Sequence, residues 1–152
     1  MTKRFTQKQR EAIEEKVEQL QKIIDGTLKS EELANMITER RLSWLKGNRN
    51  LLTEHLSLKD AYELCVYHHM KTEDGIAMST NGNLLTVECR NFCPYLEASK
   101  ILGLDTRFVC REIGEPSLRA FFQHISPRFY FSRDYSKIRP YSDFCLEFLE
   151  ER

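Results

Sequence analysis

The feature that most constrains this chain is a change of hydrophobic period near its middle. Up to about residue 71 apolar side chains recur three and four positions apart; from Ile76 onward they alternate or fall in short runs, beginning with "IAMSTNGNLLTVEC". The first spacing loads one face of a helix and the second one face of a strand. The expected class is therefore α+β: N-terminal helices over 1–71, then a mostly antiparallel sheet with two short helices packed on it over 75–152. Asn81-Gly82 marks a tight hairpin there, because both central residues of the favoured turn take positive φ.

Within the helical part, Ile13, Val17, Leu20 and Ile24 form one stripe after Thr6, and Gly26 is a natural stop. Ser30 is placed to cap a second helix, whose stripe is Leu33, Met36, Ile37, Trp44 and Leu45, before the polar "KGNRN". Ser57 with Asp60 opens a third, "SLKDAYELCVYHHM". The first stripe is narrow and ringed by Glu14, Glu15, Lys16 and Glu18. That suits a helix lying on a second copy, so a homodimer through the N-terminal helix is expected; the alternative is packing inside the chain on Leu33, Ile37 and Trp44.

In the second part, Pro94 fits the first turn of a helix and Gly103 its end, which makes "PYLEASKIL" helical with Cys93 at the cap. "RFVCREI" reads as extended. Pro116 or Ser117 opens a helix through "LRAFFQHIS", stopped by Pro127; "RFYFS" and "SDFCLEFLE" alternate as strands around "RDYSKIRPY". With 152 residues the chain matches one domain, with no internal repeat and only Lys71 to Gly75 as a candidate linker.

Lys plus Arg and Asp plus Glu are both 23, so no overall field draws the chain to nucleic acid or to an acidic membrane. Even its most basic helical stretch, "TERRLSWLKGNRN", reads as a solvated face around a core tryptophan rather than a nucleic-acid site. No apolar run approaches the roughly 20 residues of a membrane helix. With a polar, charged N-terminal stretch, the expected location is cytoplasmic. Five cysteines, an odd number, point to reduced thiols rather than a disulfide framework.

The chemistry-bearing segment is "ECRNFCPYLEASKILG". Cys93 would stand where a strand turns into a helix, and unpaired N–H groups there stabilise a thiolate; Arg90 adds charge if it folds back. Cys93 is thus the candidate nucleophile, with His124 as the candidate base. The alternative is a small apolar residue buried in the core. Cys89, Cys93, Cys110 and Cys145 would supply four thiolates for zinc or iron if the sheet gathers them, although only the first two have the close spacing of a metal pair. His68 and His69, the latter one turn from Cys65, are further donors. Among Arg128, Arg133, Lys137 and Arg139 of the C-terminal hairpin, guanidinium groups suit a small carboxylate. Arg90, Arg128, Arg139 and Tyr141 are accordingly the candidate ligand-binding residues; a charged, solvated strand edge is the ordinary account of that hairpin. No Gly-rich phosphate loop and no local signature of a serine triad is present.

Taken together, "VECRNFCPYLEASKILGL", "FVCRE" and "IRPYSDFCLEF" resemble the cysteine-bearing V4R-type ligand-binding modules and the L-2-amino-thiazoline-4-carboxylate hydrolase-like proteins, over Ile76 to Leu149. The departure is "REIGEPSLRAFF", where the family has a glycine-rich segment. The resemblance implies an α+β domain that binds a small molecule or metal through cysteines, as a sensor or as a hydrolase. The preferred function is a small-molecule- or metal-binding domain, redox-responsive through its thiols. The alternatives are a cysteine-dependent hydrolase of a small amide-like or cyclic carboxylate and a structural interaction protein.

Overall fold

A computed structural model of the chain describes residues 4–72 and 74–152; Glu73, inside the candidate linker, lies outside the described residues. Helix α1 (Gln7–Ile24) starts at Thr6 with a reciprocal capping box to Gln9. Helix α2 (Ser30–Gly47) follows, then a single 3₁₀ turn (Arg49–Leu51). Ser30 is not its cap: Lys29 holds that position without a side-chain bond, and Ser30 is already helical. Helix α3 (Leu58–Glu63), capped by Ser57, runs on as a π-helical stretch, Leu64–His69.

Strands β1 (Ile76–Asn81) and β2 (Leu84–Cys89) form the expected hairpin, but its two-residue loop is Gly82-Asn83. Positive φ occurs at Gly82 and not at Asn81, the requirement of a turn with glycine in its first central position. Helix α4 (Pro94–Leu102) has Pro94 in its first turn and ends on Gly103 in the left-handed region. The segment expected to be extended, "RFVCREI", is helical: α5 (Thr106–Val109) passes through a π-helical stretch (Cys110–Gly114) into α6 (Glu115–Ile125). The Asp105 side chain accepts from Arg107 N–H and nucleates that helix, a local cap that overrides the weak β-propensity of Phe108 and Val109. Strands β3 (Phe129–Asp134) and β4 (Cys145–Glu151) complete an all-antiparallel sheet of order β1-β2-β4-β3. Helices followed by this sheet make the fold α+β, as expected.

Burial follows the pleat. Leu85, Val87 and Cys89 of β2, Cys145, Glu147 and Leu149 of β4, and Phe129 and Phe131 of β3 share the covered face. Two apolar clusters build the interior. The larger joins this sheet face to Tyr62, Cys65, Leu118, Phe121 and Phe122. The smaller joins Leu20, Leu33 and Ile37 to Ala98, Val109 and Ile113. The α1 stripe expected at a dimer interface is thus used inside the chain: Ile13 and Leu20 are buried, and only Ile24 is exposed. Of the partners foreseen for that packing, Leu33 and Ile37 meet it, whereas Trp44 packs on the larger cluster.

Candidate functional site

The strand-to-helix turn that carries Cys93 is held from behind by Gly75. A Cβ on Gly75 would stand 2.7 Å from Asn91 N, and the Gly75 carbonyl accepts from Arg90 N–H at 2.6 Å. With φ +80° as well, glycine is required for β1 to approach the turn this closely. The register then sets Cys89 directly opposite Cys145 and Glu147 directly opposite Arg133. The π-helical stretches bring in Cys65 and Cys110; such departures from α-geometry are frequent at functional sites.

At the centre stands Arg133. It lies one step beyond Phe129 and Phe131 on the pleat, so its side chain is only 15% exposed, and its Nη2 is 3.2 Å from the Glu147 carboxylate. Burial works against its charge, but the Glu147 carboxylate beside it holds it firmly protonated. Tyr62 donates its hydroxyl proton to Glu147, which leaves its oxygen to accept from the Cys89 thiol at 3.3 Å. The result is a buried chain from Cys89 through Tyr62 and Glu147 to Arg133. Arg133 Nε is buried without a partner.

The positive charge of Arg133 lies within electrostatic reach of Cys89, Cys93, Cys110 and Cys145. The four cysteines of the second half thus share one neighbourhood, with a guanidinium among them. Among the described residues no three His, Cys, Asp or Glu side chains are arranged to hold a metal ion. The expected four-thiolate zinc or iron centre thus gains no support from the side-chain arrangement, and Arg133 would repel a cation brought among these thiols.

Cys93 stands at the N-cap position of α4. Burial raises its thiol pKa, outweighing the Leu96 N–H and the charges of Arg133 and Arg139 that pull it down. The expected activation at the helix N-terminus is therefore reversed by desolvation. Burial likewise pushes Cys110 and Cys65 up to about 12, and raises Cys89 further. Cys145 has a different setting: the Arg139 backbone N–H and its Nε both donate to Sγ at 3.4 Å, while Arg139 Nη1 donates to the Asn91 carbonyl at 2.7 Å.

The other sequence candidates lie apart from this centre. His124 is exposed, with Nδ1 3.2 Å from the Ala120 carbonyl of its own helix, and no hydrogen bond among the described residues joins it to a cysteine. Arg90 does not fold back on Cys93; it reaches Glu88 at 3.2 Å and stacks over Phe144. Arg128 binds the Arg152 carbonyl and Glu151 at the sheet end, and Tyr141 is exposed beneath Arg107. Of the four candidate ligand-binding residues, only Arg139 adjoins the thiols. His69 is tucked between Trp44 and Phe121, and burial lowers its pKa to about 4.

Sequence reasoning named Arg133 only as one of the hairpin cations and missed its buried partners Glu147 and Tyr62, and it gave no site role to Arg41, Lys16 or Tyr95, which come together from α2, α1 and α4. One signal was available: in "FYFSRD" and "CLEFL" the apolar residues alternate, and the same parity that buries Phe129 and Leu149 also carries Arg133 and Glu147. Among the described residues no helix is long and apolar enough to cross a membrane. Two open hollows, one of about 470 Å³ beside Val17 and Ile101 and one of about 190 Å³ beside Leu51 and His68, do not border the Arg133 centre. No protein-family model, curated protein or solved structure matches this chain.

Proposed function

We propose that the protein is a small-molecule-binding domain whose interior cysteines and cations receive the ligand. The observation that carries this reading is a set of buried polar atoms left without partners among the described residues: Arg133 Nε, the Tyr95 hydroxyl and His69 Nδ1, with Glu97 Oε2 and Ser99 Oγ on α4. Buried polar atoms are normally satisfied, and each one left open costs on the order of 1–3 kcal/mol. A bound molecule that supplies the missing partners offsets that cost. The resemblance to V4R-type modules points the same way. Native mass spectrometry of the chain, purified without denaturation and then incubated with a sub-kilodalton cell extract, tests it. A low-mass adduct that is released on unfolding and slows alkylation of Cys93 and Cys110 supports the reading; an unaltered mass with unaltered alkylation sinks it.

A redox response of the same site is favoured by one specific feature, the register of Cys89 against Cys145. Paired antiparallel residues have Cα atoms about 4.5–5.5 Å apart, inside the span of a disulfide. Closing that bond would release the two thiol hydrogens to a dithiol-oxidising reagent and remove Cys89 from Tyr62. Diamide treatment followed by peptide mapping checks it: a Cys89–Cys145 linked peptide is expected, and full recovery of both as free thiols excludes it. The hydrolase alternative lacks a base beside Cys93, and the thiol itself is held protonated by burial.

A further inference from the structure

We infer that the polar cluster where α1, α2 and α4 meet is an anion site, in which a small organic carboxylate sits against the Arg41 guanidinium, the Lys16 ammonium and the Tyr95 hydroxyl. This rests on the small-molecule reading above and names the ligand class.

The argument starts from unequal neighbours on α2. Arg40 is exposed and pairs with Glu15 of α1 at 3.2 Å. Arg41, one position on, turns inward: Nε donates to Ser117 Oγ at 3.0 Å, and that hydroxyl is in turn committed to the Gly114 carbonyl at 2.8 Å. Among the described residues no carboxylate lies within ion-pair distance of Arg41, and its other N–H groups have no hydrogen-bond partner. Burial already opposes its charge.

Lys16 reaches the same place from α1. Its side chain is 12% exposed, its Nζ stands 4.8 Å from the centre of the Tyr95 ring and donates a long hydrogen bond to Gln19 Oε1 at 3.4 Å, and its carboxylate neighbour Glu15 is at the 4.0 Å limit of an ion pair and shared with Arg40. The Tyr95 hydroxyl is buried with nothing to bond, and His69 Nδ1 is in the same condition. The electrostatic couplings knit these groups into one cluster: Arg41 acts on Cys65, Tyr95, His69 and Lys16, and Lys16 on Cys93. Arg133, on the sheet side, adds its unpartnered Nε.

Arg41 and Lys16 bring two positive charges together here, and the one carboxylate within ion-pair reach of either among the described residues is Glu15, shared with Arg40. The Tyr95 hydroxyl and Arg133 Nε are open donors; the buried Glu97 on α4 keeps one oxygen open but is paired through the other with Lys100. An unpaired charge taken out of water costs several kcal/mol, so such an arrangement is stabilised by an anion rather than a cation or an apolar ligand. The fork of N–H groups on a guanidinium matches the two oxygens of a carboxylate, with the ammonium and the phenol as further donors. Glu147 cannot fill the role, because Arg133 and Tyr62 already hold it.

Thermal melting of the full chain at constant ionic strength tests this, with pyruvate, benzoate and succinate as probes and pyruvamide, benzamide and succinamide as uncharged controls. At least one acid is expected to raise Tm saturably while its amide does not. Arg41→Lys and Lys16→Met, both checked for folding by circular dichroism, are expected to weaken that acid by about tenfold or more, the loss of one charge-assisted contact. Equal responses to an acid and its amide, or an acid response unchanged in both variants, overturn the anion site and leave the small-molecule reading standing. No saturable response to any acid, together with no adduct in the native mass spectrum, overturns both.

Discussion

Arg133 and Arg41 are two inward-facing arginines of the same small protein, and they are treated in opposite ways. Arg133 meets a carboxylate across the β3–β4 ladder, and that carboxylate is braced by Tyr62. Arg41 meets only the Ser117 hydroxyl. The difference shows two ways in which a fold carries an inward-facing cation: Arg133 is neutralised by a carboxylate of its own sheet, whereas Arg41 has a hydroxyl and, among the described residues, no carboxylate.

The largest effect should come from breaking the satisfied side. Glu147→Leu strips Arg133 of its partner and is expected to destabilise the fold by about 3–5 kcal/mol, measured by urea unfolding, while the double variant Arg133→Met/Glu147→Leu should recover most of the loss. A double variant no better than the single one would mean that the pair organises more than its own charges.

Next in size is a titration on the Arg41 side. The folded chain holds His69 neutral down to about pH 4, against an ordinary value of 6.5. Between those limits the unfolded chain binds a proton that the folded chain refuses, so stability should fall as pH drops from about 6.5 to about 4. Stability curves of the parent and of His69→Phe, which keeps the ring between Trp44 and Phe121, should diverge across that window; parallel curves would remove His69 from the account. A protonated His69 would also add a third positive charge to the cluster, which an anion offsets, so a bound acid should flatten the parent's slope.

A smaller effect concerns the thiols around Arg133. Because burial outweighs the helix end, Cys93 should be alkylated no faster than Cys110 near neutral pH. Time-resolved labelling with peptide mapping checks this, and a Cys93 that reacts far ahead would restore an activated nucleophile. The smallest effect is expected from Arg41→Met without ligand. Since removing an uncompensated buried cation sacrifices little, its unfolding free energy should stay within about 1 kcal/mol of the parent, in contrast with Glu147→Leu. A loss as large as that of Glu147→Leu would make Arg41 a structural residue.

Much of the scaffold is legible in local sequence. Pro94 and Gly103 bracket α4 as their backbone preferences require, Thr6 and Ser57 cap the helices they precede, and alternation locates β3 and β4. Each of these is decided within a few residues, by dihedral preference or by one side-chain bond to a neighbouring N–H. "RFVCREI" escapes such reading because its residues suit either state and a single cap from Asp105 tips them into helix. The hairpin loop slips by one residue for a similarly small reason, the positive φ taken by Gly82 alone.

The candidate site belongs to a different order of information. Four cysteines, a capped helix and an arginine-rich hairpin are visible in the chain, and they suggested thiol chemistry at Cys93 and anion contacts at Arg90, Arg128, Arg139 and Tyr141. Which of these meet is set by strand register and by which residue of a pair such as Arg40 and Arg41 turns inward. Register places Arg133 on Glu147 and Cys89 on Cys145. Sequence alone determined the periods, the caps and the parity of each strand, because those are local and repeat every two or 3.6 residues. Only the tertiary structure decided which charges are paired and which thiols are desolvated, because electrostatic energy in a protein depends on distance and burial across segments far apart in the chain.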